Sequence, residues 1–200
     1  MQDVFYEESA TMQNTGAAKT KYYTFKTLSI ISYAIAIIWL VITFVAFPME
    51  GNVWINILFA AIPFVMFLVS GILIGKIKDK FYVDYDYTFV TGSIRFSKVI
   101  KNIKRKNVIV FDTANIEKIG RYGSNTFIRY TSMPNKKQMI LTSNAEPAQD
   151  KGFYYMVVNA GGQKYLFVIE CTETFLSNIL KFSNRTVIDD EFFAKNYGRK

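Results

Sequence analysis

Two long stretches without a single charge constrain this chain more than any other feature. Residues 28–47 form an uncharged run of 20 residues, and residues 53–75 a second run of 23. An α-helix needs about 20 such residues to cross a hydrocarbon layer about 30 Å thick. A helix in a soluble core would turn a charged face to water, and neither run has one. Only residues 48–52 lie between them, so the two are predicted to form a transmembrane helical hairpin. Pro63 falls inside the second run and is expected to kink that helix rather than end it. Trp54 sits at the start of its span, an interfacial position, while Trp39 lies deeper. The first run is too long for a secretory leader, follows Asp3, Glu7 and Glu8, and is succeeded at once by a second span.

The flanks set the orientation. Lys19, Lys21 and Lys26 precede the first span, Lys76, Lys78 and Lys80 follow the second, and the turn carries only Glu50. The positive-inside rule then puts both termini in the cytoplasm, with the plasma membrane as the expected location. No ionisable residue lies inside either run, which argues against a transport path through a lone hairpin. Gly71 and Gly75 form a Gly-x-x-x-Gly pair that permits close helix contact, a weak pointer to self-association.

Beyond Lys80 the pattern changes to alternation. Phe81, Val83, Tyr85, Tyr87 and Phe89 are apolar at every second place, which predicts a half-buried strand. Thr91-Gly92 makes a turn, and the alternation resumes from Ile94 to Ile100. Further strands are predicted at 108–111, 126–130, 139–142, 153–158 and 164–169, with a short segment at 116–119; the last two strands are joined by the hairpin signal Asn159-Ala160-Gly161-Gly162. Residues 172–182 read as an amphipathic helix, with Phe175, Leu176, Ile179 and Leu180 on one face. Thr172 caps its start, Glu173 suits its first turn and Lys181 its last.

Seven short strands closed by a helix resemble the pleckstrin-homology (PH-like) superfold. Tyr85-Asp86-Tyr87-Thr88-Phe89-Val90-Thr91-Gly92-Ser93-Ile94-Arg95-Phe96, then Phe111-Asp112 and Ile116-Glu117-Lys118-Ile119, are similar to bacterial PH-like domains. The chain from about Lys26 to Phe182 also resembles two-span membrane proteins of unassigned function from clostridia-like bacteria. The resemblance implies an α+β membrane protein: a transmembrane hairpin followed by a seven-stranded PH-like sandwich or barrel with a C-terminal capping helix. The expected divisions are a flexible cytosolic segment at 1–26, the hairpin at 27–76, the PH-like domain at 80–182 and a polar tail at 183–200. In that tail Phe192, Phe193 and Tyr197 could form a short docking helix.

Composition removes most chemistry. There is no histidine, the commonest general base and metal ligand, and Cys171 is the lone cysteine. No disulfide, metal site or cofactor is expected, and Cys171 reads as a small buried residue. Asp84 and Asp86 share one strand face and read as a solvated face paired with lysines. Asp189-Asp190-Glu191 lacks the spacing of a calcium loop. No nucleotide loop or catalytic motif is present, so the chain alone is not expected to be an enzyme.

Basic charge is the remaining feature. Residues 76–106 hold nine cations against three acids, +6 of the net +8. Lys98, Lys101, Lys104, Arg105 and Lys106 form a basic loop, suited to anionic lipid headgroups at about 1 kcal/mol per cation near the surface. PH domains usually hold a specific headgroup with the loop between their first two strands. Here that loop is Thr91-Gly92, without a cation. The expected role is an interaction module at the cytoplasmic face, contacting membrane lipids and a protein partner or a second copy, with no nucleic acid. The rival is a small membrane enzyme or transporter accessory subunit completed by a partner.

Overall fold

The computed structural model describes residues 4–46, 53–101, 103–183 and 187–189. The chain divides into a helical unit, Asn14–Tyr82, and a β unit made from Met1–Gln13 together with Val83–Lys200. The turn expected at 48–52 and the aromatic tail residues Phe192, Phe193 and Tyr197 lie outside the described residues.

In the helical unit, α1 spans Thr15–Ala46 and α2 spans Val53–Lys78. Both are long and apolar enough to cross a membrane. Of the most apolar stretch in each, only 17% and 6% is buried within the protein. α1 starts ahead of its uncharged run, adding about 20 Å of helix before Leu28. Asn14 Oδ1 accepts from the Ala17 N–H at 3.2 Å and caps that extension. α2 continues through Pro63 as one helix.

The hairpin is packed through small and hydroxyl side chains. Ser29, Ser32 and Ala36 are buried on α1. Ser29 Oγ donates to the Gly71 carbonyl at 2.8 Å, a bond between the two helices. A Cβ at Gly71 would fall 2.7 Å from Tyr33 Cε1, and one at Gly75 would fall 3.3 Å from Ser29 Oγ. The glycine pair therefore serves the contact of α1 with α2 inside one chain, where close approach maximises dispersion and interhelical hydrogen bonding. Near its start and end the unit is closed by a stack of Phe25 on Phe81 with ring centroids 4.8 Å apart, and by Lys78 Nζ lying 6.0 Å from the centre of the Tyr22 ring.

The β unit is two four-stranded sheets. The first has the order β1 (Phe5–Ala10), β2 (Val83–Val90), β3 (Ser93–Ile100), β4 (Lys104–Asp112), all antiparallel. The second comprises β5 (Ile116–Arg121), β6 (Lys136–Ile140), β7 (Gly152–Ala160) and β8 (Gln163–Cys171), in the order β5-β7-β8-β6 with β6 parallel to β8. Inward residues of both sheets meet in an aromatic core. Phe96 packs against Phe111 and Phe167 at 5.4 and 5.3 Å between centroids. α4 (Glu173–Phe182) adds Phe175, Leu176 and Ile179, so the expected closing helix is present, capped by Thr172 accepting from the Phe175 N–H.

Four expectations are corrected. First, residues 1–26 are not one flexible segment: Phe5–Ala10 is a strand and α1 begins at Thr15. Register pairs Phe5 with Val90 and Ala10 with Tyr85, so β1, which precedes the helical unit in the chain, completes the sheet that β2 begins after it. With Ile116–Arg121 a full strand and 126–130 helical, the described residues hold eight strands, not seven. Second, residues 126–130 are helical. α3 runs Asn125–Ser132, because Ser124 Oγ accepts from the Phe127 N–H at 3.1 Å and Phe127 and Tyr130, three apart, both reach Tyr155. Third, Lys104–Lys106 is strand rather than loop. Fourth, the tail does not begin as free chain at 183, for Val187 and Asp189 are buried and Ile188 bridges Ile119.

A fragment of residues 80–200 therefore lacks a strand of its own sheet. It is expected to lose cooperative thermal unfolding in circular dichroism. Residues 1–13 joined to 83–200 by a short Gly/Ser linker should restore it, because Ala10 and Tyr85 are register neighbours.

Candidate anion-binding surface

The basic residues lie at one end of the first sheet, and strand register sorts them by face. Tyr85, Lys98 and Lys106 are direct cross-strand partners, as are Val83, Ile100 and Lys104. Directly paired residues share a face, so these lysines stand on the face that carries Tyr85 and Tyr87. Lys98 and Lys106 are direct register partners on β3 and β4. Lys101 occupies the β3–β4 turn with φ 54°, a left-handed conformation that glycine adopts more easily. The turn is closed by the Ile103 N–H donating to the Ile100 carbonyl at 3.1 Å. Ile103 itself is 80% exposed beside this crown of lysines.

Arg105 belongs to the opposite face. Its Nη2 lies 2.6 Å from Asp86 Oδ2 and 3.2 Å from Glu7 Oε1. The Asp86 contact is an ion pair without an aligned hydrogen bond at Oδ2, while Oδ1 accepts from Ser9 Oγ at 2.7 Å. Asp84 Oδ1 accepts from the Met12 N–H at 2.7 Å. Asp84 and Asp86 are both buried, so the expectation of a solvated acidic face is corrected. These carboxylates join β1 and its extension to β2, with Arg105 reaching them from β4. Of the five basic residues singled out, Lys98, Lys101, Lys104 and Lys106 share the sheet end, and Arg105 is committed to its acids.

The other buried carboxylates are also engaged. Glu8 accepts from the Thr172 N–H at 2.9 Å and from Thr172 Oγ1 at 2.9 Å, and pairs with Lys151 Nζ at 3.1 Å. It thereby ties β1 to the start of α4. Glu170 accepts from Thr142 Oγ1, Asn144 Nδ2 and the Ala148 N–H, at 2.5, 2.8 and 2.9 Å, ordering the loop after β6. Asp189 accepts from Tyr155 OH at 2.9 Å and Thr126 Oγ1 at 2.9 Å. Burial first, then the hydrogen bond to Asp189, hold the Tyr155 hydroxyl far above its ordinary value. Burial, then the Glu8 charge, push the Cys171 thiol up, so it stays protonated. Among the described residues no group of three or more acids and cysteines is arranged to hold a metal ion.

The topology lysines divide between elements. Lys19, Lys21 and Lys26 lie on the part of α1 ahead of its uncharged run, while Lys76 and Lys78 end α2 and Lys80 follows it. An open groove follows α1 from Lys19 and Thr20 to Leu28 and Ile31. Ile103 was missed by the sequence reading. Its only signal was one apolar β-branched residue inside Lys101-Asn102-Ile103-Lys104-Arg105-Lys106.

Two apolar helices placed between the first and second strands of a helix-capped β sandwich define the architectural class. The chain belongs to the bacterial PH-like domain family DUF6106, whose model matches residues 3–189, a span that takes in β1, both helices and Asp189. No curated protein and no solved structure matches the chain. With β1 at Phe5–Ala10, the connection between the first two strands is the helical unit itself, and Thr91-Gly92 is the next loop along. The absence of a cation from Thr91-Gly92 therefore says nothing about headgroup binding.

The division of roles is testable by stability. Arg105→Ala strands a buried carboxylate and should lower the unfolding free energy by about 1–3 kcal/mol. Lys104→Ala and Lys106→Ala should stay within about 0.5 kcal/mol of the parent in the same thermal or denaturant melts.

Proposed function

We propose that this protein is a membrane-anchored PH-like interaction module that engages anionic lipid headgroups at the cytoplasmic face of the plasma membrane. The two helices act as the anchor, with both termini cytoplasmic. The β unit binds without catalysing a reaction. The observation that carries this reading is the placement of Lys98, Lys101, Lys104 and Lys106 at one end of one sheet. Both covalent connections to the helical unit leave the sheet from that end, since β1 finishes at Ala10 opposite Tyr85 and β2 starts at Val83 opposite Ile100. Lys78 ends α2 five residues before Val83, a tether of at most about 18 Å.

Lysines held near a bilayer by their own chain need little intrinsic affinity, because the tether supplies a high effective concentration. Lys101 supports the same reading. It keeps a cation where glycine would relax the backbone, a stability cost typical of binding sites.

Hydrogen–deuterium exchange of the full-length protein in nanodiscs tests the proposal. Amides of β3 and β4 should be more protected in discs containing phosphatidylglycerol than in phosphatidylcholine alone, and added salt should erase the difference. Lys104→Glu/Lys106→Glu should abolish it. Equal exchange in both lipids would contradict the proposal and favour an acidic protein partner or a subunit of a larger assembly.

A further inference from the structure

The Ile103 side chain points away from the core of the fold. It is 80% exposed, whereas the inward residues of β3, Ile94 and Phe96, are fully buried. Single exposed apolar residues are common on protein surfaces, but this one stands in the β3–β4 turn within a run of basic residues. Lys101 precedes it and Lys104 follows it, with Lys98 and Lys106 paired one step behind on the same sheet end. Such a tip would gain little from docking on a protein groove, where the surrounding ammonium groups would each need desolvation. A bilayer interface suits it better. There the lysine stems lie along apolar surface while their heads stay among phosphates, and a branched aliphatic side chain reaches the upper acyl region.

We propose that the β3–β4 tip is a membrane wedge: Ile103 inserts into the acyl boundary of an anionic bilayer while Lys104 and Lys106 bind the phosphates around it. This deepens the headgroup reading above and rests on it. The tip and the helical anchor then form two attachments of one β unit, the anchor permanent and the tip dependent on anionic lipid. Lipid composition becomes an input that changes how the β unit is held, and so which of its other surfaces are presented to the cytoplasm. A hydrophobic contact backed by charge also predicts mixed sensitivity: high salt weakens the tip's attachment without abolishing it once the side chain is inserted.

The test uses the full-length protein in nanodiscs. Cys171, the sole native cysteine, is buried, so Ile103→Cys accepts an environment-sensitive fluorophore selectively. In phosphatidylglycerol discs the probe should shift to the blue and be quenched by spin labels attached to the acyl chains. Neither effect should appear in phosphatidylcholine discs, or with Lys104→Glu/Lys106→Glu added. As a second measure, Ile103→Asp should reduce the engaged-to-free ratio, read from β3–β4 hydrogen exchange in anionic discs, by about tenfold. An unquenched probe together with lipid-dependent protection of β3 and β4 would overturn the wedge while leaving headgroup binding intact. An unquenched probe with no lipid-dependent protection would overturn both.

Discussion

Pairing of β1 with β2 is the constraint on which the rest of the molecule depends. The two strands are neighbours in space, yet the whole helical unit lies between them in sequence. Closing so long a loop costs entropy, though the cost grows only slowly with length. The antiparallel helices reduce it. With Phe25 on Phe81 and Lys78 beside Tyr22, the chain ends that leave the helical unit are already held close. That shortens the remaining loop to roughly a quarter and is worth about 1 kcal/mol. Glu8 then fastens the strand through Thr172 and Lys151, contributed by the α4 cap and the loop before β7. Insertion, packing and cap are one connected device, and it ties the β unit to the helical unit by two chain connections rather than one.

Charge is partitioned by the same strands. One face of the first sheet gathers Asp84, Asp86 and Glu7, and answers them with Arg105. The other face carries the lysines at its end. A slip of one residue between β3 and β4 would exchange these roles, putting Arg105 among lysines and a lysine against Asp86. The irregularity between Phe96 and Ser97 fixes the register where it matters, since β4 accommodates the extra residue there. The electrostatic pattern is therefore a consequence of strand alignment.

Much of this was legible in the sequence, for identifiable reasons. The two uncharged runs, the alternation from Val83 to Ile100 and the Thr172 cap are local patterns, and local patterns survive without tertiary information. β1 was hidden because its inward residues are Tyr6, Glu8 and Ala10, a sequence in which a carboxylate occupies a core position. Only Thr172 and Lys151, remote in the chain, make that burial tolerable. Asp84 and Asp86 were misjudged for the same reason, and so was Asp189, whose partners Tyr155 and Thr126 belong to β7 and α3. Local alternation of Thr126, Ile128 and Tyr130 imitated a strand where a cap and a three-residue aromatic spacing make a helix. At the candidate site, the cluster of cations was evident from composition, but the commitment of Arg105 and the exposure of Ile103 depend on register and needed the fold.

The most direct measurement is a disulfide trap of the β1–β2 pairing in intact membranes. Glu7→Cys and Thr88→Cys are direct register partners, and the buried Cys171 does not compete. A protease site placed in the 48–52 segment would separate the two halves of any uncrosslinked chain on a non-reducing gel. The account requires that, after mild oxidation and cleavage, the halves remain joined for Glu7→Cys/Thr88→Cys, separate on reduction, and separate without reduction for a Glu7→Cys/Val110→Cys control. Halves that come apart without reduction in the register pair would contradict the insertion of the helical unit into the β sandwich.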